Sequence, residues 1–382
     1  MEINFTSRMV LATLLVATLS ASAVAQQTNE QKAESTDVKR SQVVDKGLNW
    51  LATQEQAEDG TFTAKAGAGI TALAVTAALR NDSTLNDPIV KKGLKALEGF
   101  VKPDGGIYGS GRLKNYETCV AMVCFAEANK DGRFDDILKR AKSFVTGIQY
   151  GKANGKNKSD VWYGGVGYSG AERPDLSNTS YLIEALRAAG SEENDDAIQQ
   201  AIAFVSRCQN LEGHGNDTEF AALVNDGGFY YEIPTTKIDP STSPERFTPE
   251  GGIRSYGTMT YAGLKSMIYA GLTKDDPRVA AAVEWIQKQY AVDKNPGMGS
   301  AGLYYYFNTF AASLKTAEIE TVKDKDGKTH DWRKDLVQEL ARRQNKDGSW
   351  SNRNERWFEG DKNLATSFAL LALSYCNDEG DK

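Results

Sequence analysis

The segment Gln344-Asn345-Lys346-Asp347-Gly348-Ser349-Trp350 is followed, after a short gap, by Thr366-Ser367-Phe368-Ala369-Leu370-Leu371-Ala372-Leu373. Asp-Gly marks a tight turn, because glycine reaches positive φ without steric cost. The run that opens on Thr366 is apolar on nearly every helical face, which suits a buried helix. Just upstream, Asp335-Leu336-Val337-Gln338-Glu339-Leu340 places its apolar residues on one face, the pattern of a helix half in water. One unit of the chain is therefore an amphipathic helix, a glycine turn and an apolar helix.

The unit recurs towards the N-terminus. Amphipathic helices are predicted at Lys46-Gly47-Leu48-Asn49-Trp50-Leu51, Lys92-Gly93-Leu94-Lys95-Ala96-Leu97, Ala141-Lys142-Ser143-Phe144-Val145, Ala201-Ile202-Ala203-Phe204-Val205 and Ala282-Val283-Glu284-Trp285-Ile286. Glycine turns follow at Asp59-Gly60, Asp104-Gly105-Gly106, Gly164-Gly165, Asp226-Gly227-Gly228 and Gly297-Met298-Gly299, and Thr71, Thr118, Thr179, Thr260 and Thr309 open the apolar helices. Asp87-Pro88 and Asp276-Pro277 read as helix starts, with Asp capping and Pro at the first helical position. The chain holds 35 glycines in 382 residues, above the usual ~7%, and the surplus falls in these turns rather than in linkers. Helix pairs that cannot bury their own faces stack on their neighbours. With β-branched alternation scarce, the predicted class is all-α.

The Gln344–Trp350 segment and the first unit (Lys46-Gly47 through Trp50-Leu51, then Gln54 and Asp59-Gly60-Thr61-Phe62) resemble the QW-type repeats of squalene cyclases and protein prenyltransferases. The resemblance covers residues 42–377. It implies an (α/α)6 toroid, six helix pairs with an inner ring inside an outer one, and a central cavity for a small, isoprenoid-type apolar molecule. The reactions of those families do not transfer residue by residue. No D-x-D-D acid motif occurs; Asp135-Asp136, Asp195-Asp196 and Asp275-Asp276 fall at helix starts and read as caps. Of the prenyltransferase zinc site, Asp-x-Cys plus a later His, only Glu117-x-Cys119 has a counterpart, and His214 and His330 lie in loops. Neither a metal nor a cofactor is expected, and whether the toroid is an enzyme stays open.

A pocket in such a ring forms at the inner-helix N-termini and the loops before them. The third loop offers Trp162, Tyr163 and Arg173 as binding residues. The longest connection runs from Cys208 to Tyr256, a length that points to function or disorder. It brings Asp226, Glu250, Arg254 and Tyr256 towards an inner helix, and with Asp361 these form the candidate catalytic set. Tyr304, Tyr305 and Trp357 add aromatic surface. Arg254 reads equally as a pin for its loop, and the aromatics as core. Two other functions fit the same features: a carbohydrate-active (α/α)6 enzyme (polysaccharide lyase or hydrolase), or a non-catalytic binding toroid.

A net charge of −6 argues against nucleic acid as a partner. Cys119, Cys124, Cys208 and Cys376 are too few for a disulfide scaffold and read as buried thiols. Residues 1–25 have the form of a cleaved export signal: Arg8, an apolar run from Met9 to Leu19, and Ala23-Val24-Ala25 as the cleavage site. The expected product is a periplasmic or secreted chain with a flexible leader (26–41), the repeat domain (42–377) and a short tail (378–382). No later stretch is long enough to span a bilayer. Protein partners cannot be read from the sequence.

Overall fold

The structure, a computed structural model, describes residues 38–377 apart from Ala171, residues 236–238 and the side chain of Gln54. The expected export signal, nearly all of the leader and the tail lie outside the described residues.

Twelve helices of 11 to 15 residues alternate between two roles among the described residues. Labelled in chain order, the odd-numbered ones are amphipathic: α1 Arg40–Trp50, α3 Pro88–Glu98, α5 Asp135–Gly147, α7 Asp196–Arg207, α9 Pro277–Gln289 and α11 Trp332–Arg343. The even-numbered ones are apolar nearly all round: α2 Gly69–Arg80, α4 Lys114–Ala128, α6 Leu176–Ala188, α8 Gly257–Tyr269, α10 Leu303–Thr316 and α12 Lys362–Ser374. Each even helix packs on the next, and α12 returns to α2, so they close a ring against which the odd helices lie. The fold is the all-α toroid expected from the sequence.

The patterning explains the two roles. In α12 every residue from Asn363 to Leu373 is buried, and in α8 every residue from Gly257 to Met267. Outer helix α3 buries only Ile89, Val90, Gly93, Leu94 and Leu97, one face at helical spacing, and leaves its lysines in water.

The repeat is held by a recurring set of hydrogen bonds. The inner-helix threonine accepts the backbone N–H of the residue just past the glycine turn: Phe62 to Thr71, Ile107 to Thr118, Val166 to Thr179, Phe229 to Thr260 and Trp350 to Thr366, at 2.9–3.1 Å. A glutamine before the turn donates both to the turn glycine and to the first turn of the next outer helix. Gln56 reaches Gly60 and Ile89, Gln149 reaches Gly164 and Ala197, and Gln209 reaches Gly227 and Arg278. Gln344 reaches Gly348 and, across the ring closure, Val43 in α1. The unit of Thr118 lacks such a glutamine, and that of Thr309 lacks the whole set; there Asn295 bonds Thr258 and Ala301 instead.

Gly348 shows why the turn needs glycine. Its φ is +94°, and a Cβ would stand 2.5 Å from the Lys46 carbonyl oxygen of α1. Trp350, fully buried, donates its indole N–H to Leu340 and packs against Gly47, where a Cβ would lie 2.7 Å from the ring. The last turn thus locks onto the first helix. Arg40 adds to the seam by donating to the Leu373 carbonyl and to Asn81.

Four details differ from the sequence reading. The toroid begins at Arg40, inside the expected leader, because Arg40 is part of the seam. The repeat glutamine of the first unit is Gln56, not Gln54, since Gln56 stands at the turn. Asp87 occupies a cap position but turns its carboxylate back to the Thr84 N–H. The α10–α11 connection carries a small antiparallel hairpin, β1 Val322–Lys323 with β2 Thr329–His330.

Candidate functional site

A cavity of about 660 Å³ opens at the N-terminal ends of the inner helices, a size that suits a small molecule. All six inner helices contribute to its wall. Its lining is aromatic: Tyr116, Tyr168, Tyr181, Tyr231, Tyr256 and Tyr305, with Phe368 deeper and Trp357 and Phe358 at the mouth. Tyr181 stacks on Tyr305 (ring centroids 5.8 Å apart, 15° between planes), Tyr116 meets Tyr181 edge-on at 5.2 Å, and Phe368 lies 5.6 Å from Tyr305. Polar lining other than the phenols comes from Lys65, Ser177, Thr258 and Glu359. Most of these are already bonded: Ser177 to the Tyr305 hydroxyl at 2.8 Å, and Thr258 to Asn295 at 2.8 Å.

The inner-helix N-termini do not wait for an anion. Helix dipoles and free N–H groups there would attract phosphate, but the protein's own carboxylates occupy those of α2, α6, α10 and α12, and Asn295 accepts at α8. Glu117 accepts from Ala68 and Gly109 at the start of α2, at 2.7 and 2.8 Å. Asp175 caps α6, accepting from the Asn178 backbone and side chain. Glu359 accepts from the Tyr305 N–H of α10 and from Asn352. Asp361 caps α12 and accepts from Thr63. Burial pushes the acid forms of Glu117 and Glu359 up, and backbone N–H bonds pull them back. Burial raises Asp175 to about 6, against the Asn178 and Tyr231 bonds that lower it. The phenols are pushed up as well, chiefly by burial, with Asp175 adding to the effect on Tyr231, Tyr256 and Tyr305.

Tyr256, Tyr305 and Trp357 are the expected site residues that line the cavity. The others stand elsewhere. Asp226 accepts from Gly228, Ser255 and the Trp285 indole, a turn-building set. Arg254 is exposed and donates to the Pro244 and Phe247 carbonyls, and Glu250 is exposed in the same loop. Arg173 pairs with Glu232, which also holds Arg246 at 2.6 Å. Trp162 donates to Ile233; Tyr163 and Tyr304 are buried. Asp361 lies beside the cavity as the α12 cap. Tyr116, Tyr181 and Phe368 sit within the first two turns of inner helices, where nothing in the sequence separates cavity from core. Glu117, the counterpart of a zinc-site acid in the sequence, instead caps α2, as Asp175 caps α6.

At the mouth, Trp357 and Phe358 are 47% and 44% exposed. Both adopt left-handed backbone, φ 57° and 68°. Two consecutive bulky residues there are strained, and such strain concentrates at functional sites. Arg356 covers the Trp357 ring at 4.4 Å, and Lys65 lies 5.8 Å from that of Phe358.

All four cysteines are free and buried. Cys119 bonds Asn115 rather than facing Glu117, and no group of three metal-ligating side chains occurs among the described residues. Nor does any described helix have the length and apolarity to cross a membrane.

Comparison with known proteins agrees with the geometry. Residues 63–235 match the family model of the squalene-hopene cyclase C-terminal domain. No curated protein matches the sequence. Among solved structures, a D-mannose isomerase superposes with a TM-score of 0.52 at 11% identity, covering 90% of this chain and 98% of that one. At such identity the likeness concerns fold alone. The chain resembles the squalene cyclase-like repeat proteins in its repeats, in its family-model match and in its toroidal fold.

Proposed function

We propose that this protein binds an apolar, isoprenoid-type molecule in its central cavity. The observation that carries the reading is the wall itself. It is built mostly of aromatic and aliphatic side chains, and Ser177, Thr258 and Glu359 are spent on internal bonds. A ligand gains chiefly by burying apolar surface, about 25 cal/mol per Å², and by ring contacts. Because carboxylates fill four of the six inner-helix N-termini, the site disfavours diphosphate substrates such as prenyltransferases use. The match to the squalene-hopene cyclase domain supports the same class of ligand. We propose further that residues 1–25 direct export and that the mature chain begins near Gln26, which N-terminal sequencing of the secreted protein tests.

The test is solvent extraction of protein purified without detergent, followed by mass spectrometry, with farnesol and squalene titrated into the stripped protein. Enrichment of an isoprenoid and saturable 1:1 binding support the reading. A clean extract together with no binding of either probe would refute it.

A second reading is carbohydrate recognition, favoured by the exposed Trp357 face at the mouth and the fold shared with a D-mannose isomerase. It predicts binding or conversion of mannose or oligosaccharides that is lost in Trp357→Ala. Full indifference to sugars removes it.

A further inference from the structure

Two groups of the described chain set a pair of cations around a buried carboxylate, and in each a second acid completes the balance. Within the ring, Lys265 and Arg80 face Glu184 and Glu127. On α11, Arg342 and Arg343 hold Glu339 and stand beside Asp293, whose carbonyl also accepts from Arg343. Glu232 departs from this pattern. It is buried, and it holds Arg173 through one oxygen and Arg246 through the other. Glu172 and Glu245, next to these arginines in the chain, are exposed and make no ion pair among the described residues. Asp175, the other buried acid nearby, is turned into the α6 cap, where the helix N-terminus and Asn178 take its charge. Two guanidiniums against one carboxylate leave one positive charge uncompensated.

That charge stands at the edge of the cavity. Glu232 follows Tyr231, a lining residue whose carbonyl accepts the Leu176 N–H at the start of α6. Arg173 comes from the loop that enters α6. Arg246 comes from the long connection, with its guanidinium 5.4 Å from the ring of buried Phe247. The two side chains are 48% and 41% exposed, and Glu232 is the polar partner of each among the described residues. A guanidinium carries five N–H donors in a planar fork that fits a carboxylate. Each arginine spends part of its fork on Glu232, which fixes its direction, and keeps the rest for a second acceptor.

We infer that Arg173 and Arg246 form a headgroup site for a carboxylate carried on the apolar ligand, with Glu232 holding both forks towards it. The inference rests on the reading of the cavity as an apolar ligand site and adds the head of the ligand: an acid rather than an alcohol, a hydrocarbon or a diphosphate. One uncompensated charge matches one carboxylate, whereas a diphosphate brings more negative charge than the pair can meet. Glu232 and Arg246 both belong to the longest connection of the chain, so this specificity lies outside the repeated unit.

The test is a calorimetric titration of the whole protein at neutral pH with three probes of one chain and different heads: farnesoate, farnesol and farnesyl diphosphate. D-glucuronate, a carboxylate on a sugar, is the fourth. Farnesoate should bind at least about tenfold more tightly than farnesol, the scale of a charge-assisted hydrogen bond. Farnesyl diphosphate should bind no more tightly than farnesol. Arg173→Gln and, separately, Arg246→Gln should each bring farnesoate down to the affinity of farnesol. Arg353→Gln, which removes an exposed arginine from another loop, should keep the preference and so controls for bulk charge. Should a variant of the pair fail to fold, the probe comparison and its salt dependence decide, since the preference of two half-exposed arginines should shrink in high salt. If farnesoate binds no better than farnesol, or the diphosphate binds best, the headgroup site falls and the apolar cavity stands. If D-glucuronate binds and no farnesyl probe does, the arginine pair stands as a carboxylate site and the apolar reading falls. If no probe binds, both fall.

Discussion

Glu184 on α6 and Lys265 on α8 meet at 2.6 Å, both largely buried, within the inner ring. Near them Arg80, at the end of α2, bonds Glu127 of α4 and the Tyr375 hydroxyl. The perturbation is Glu184→Gln. It keeps the shape and removes the charge that Lys265 needs. Breaking one partner of a buried pair costs about 3–5 kcal/mol, because the remaining charge is left unpaired. A domain of ordinary stability has about 5–15 kcal/mol in total, so the variant should lose a large fraction of it in urea unfolding at pH 7. The double variant Glu184→Gln, Lys265→Met should recover most of the loss, since no unpaired charge remains. The pH dependence is fixed in sign. Burial raises the Glu184 acid, but Lys265 and Arg80 outweigh it and hold the group below its ordinary value. Its contribution is present above the unfolded carboxylate value and is lost as pH falls through the lower folded one. The gap between wild type and Glu184→Gln should therefore close in acid. A loss under about 1 kcal/mol at pH 7, or a double variant as unstable as the single one, would refute the assignment of this pair to the inner ring.

Gly348→Ala should destabilise by about 2–4 kcal/mol, combining left-handed strain with a clash against α1, whereas Gly155→Ala, also at positive φ but with open space around it, should cost about 1–2; urea midpoints compare them. Asp175→Asn should flatten one part of the stability profile: with its folded value raised to about 6, wild type loses stability as pH rises from about 4 to about 6, and the variant should not. Trp357→Asn should leave stability unchanged or slightly raised, because asparagine tolerates the left-handed backbone, while weakening farnesol binding. The four buried thiols should resist Ellman's reagent in the native protein and all react once it is unfolded; burial raises Cys124 to about 12 and holds Cys119 and Cys208 up as well.

The toroid was legible because its determinants are local and repeated. Asp347-Gly348, Trp350 and Thr366 are one turn and one helix start, and their counterparts recur in order. The glutamine was harder: Gln54 and Gln56 both precede the first turn, and only the approach of α3 shows that Gln56 donates to Ile89. The site was legible in part. Tyr256, Tyr305 and Trp357 flank inner-helix starts, where sequence directs attention. Asp226 and Arg254 looked alike in kind, acid and base beside glycine, but their partners are a neighbouring indole and loop carbonyls, set by tertiary contacts. Tyr181 and Phe368 read as core because a ring's interior and its cavity wall share one composition. The caps by Glu117 and Glu359 join residues from different units, a pairing that only ring geometry creates.

The central claim is that the aromatic cavity holds an apolar molecule. Native mass spectrometry of the stripped protein with farnesol tests it most directly. The account predicts one added farnesol per chain, lost when Tyr305→Arg places a bulky charge in the cavity. A chain that stays at its bare mass at saturating farnesol, or a Tyr305→Arg variant that retains the ligand, would contradict it.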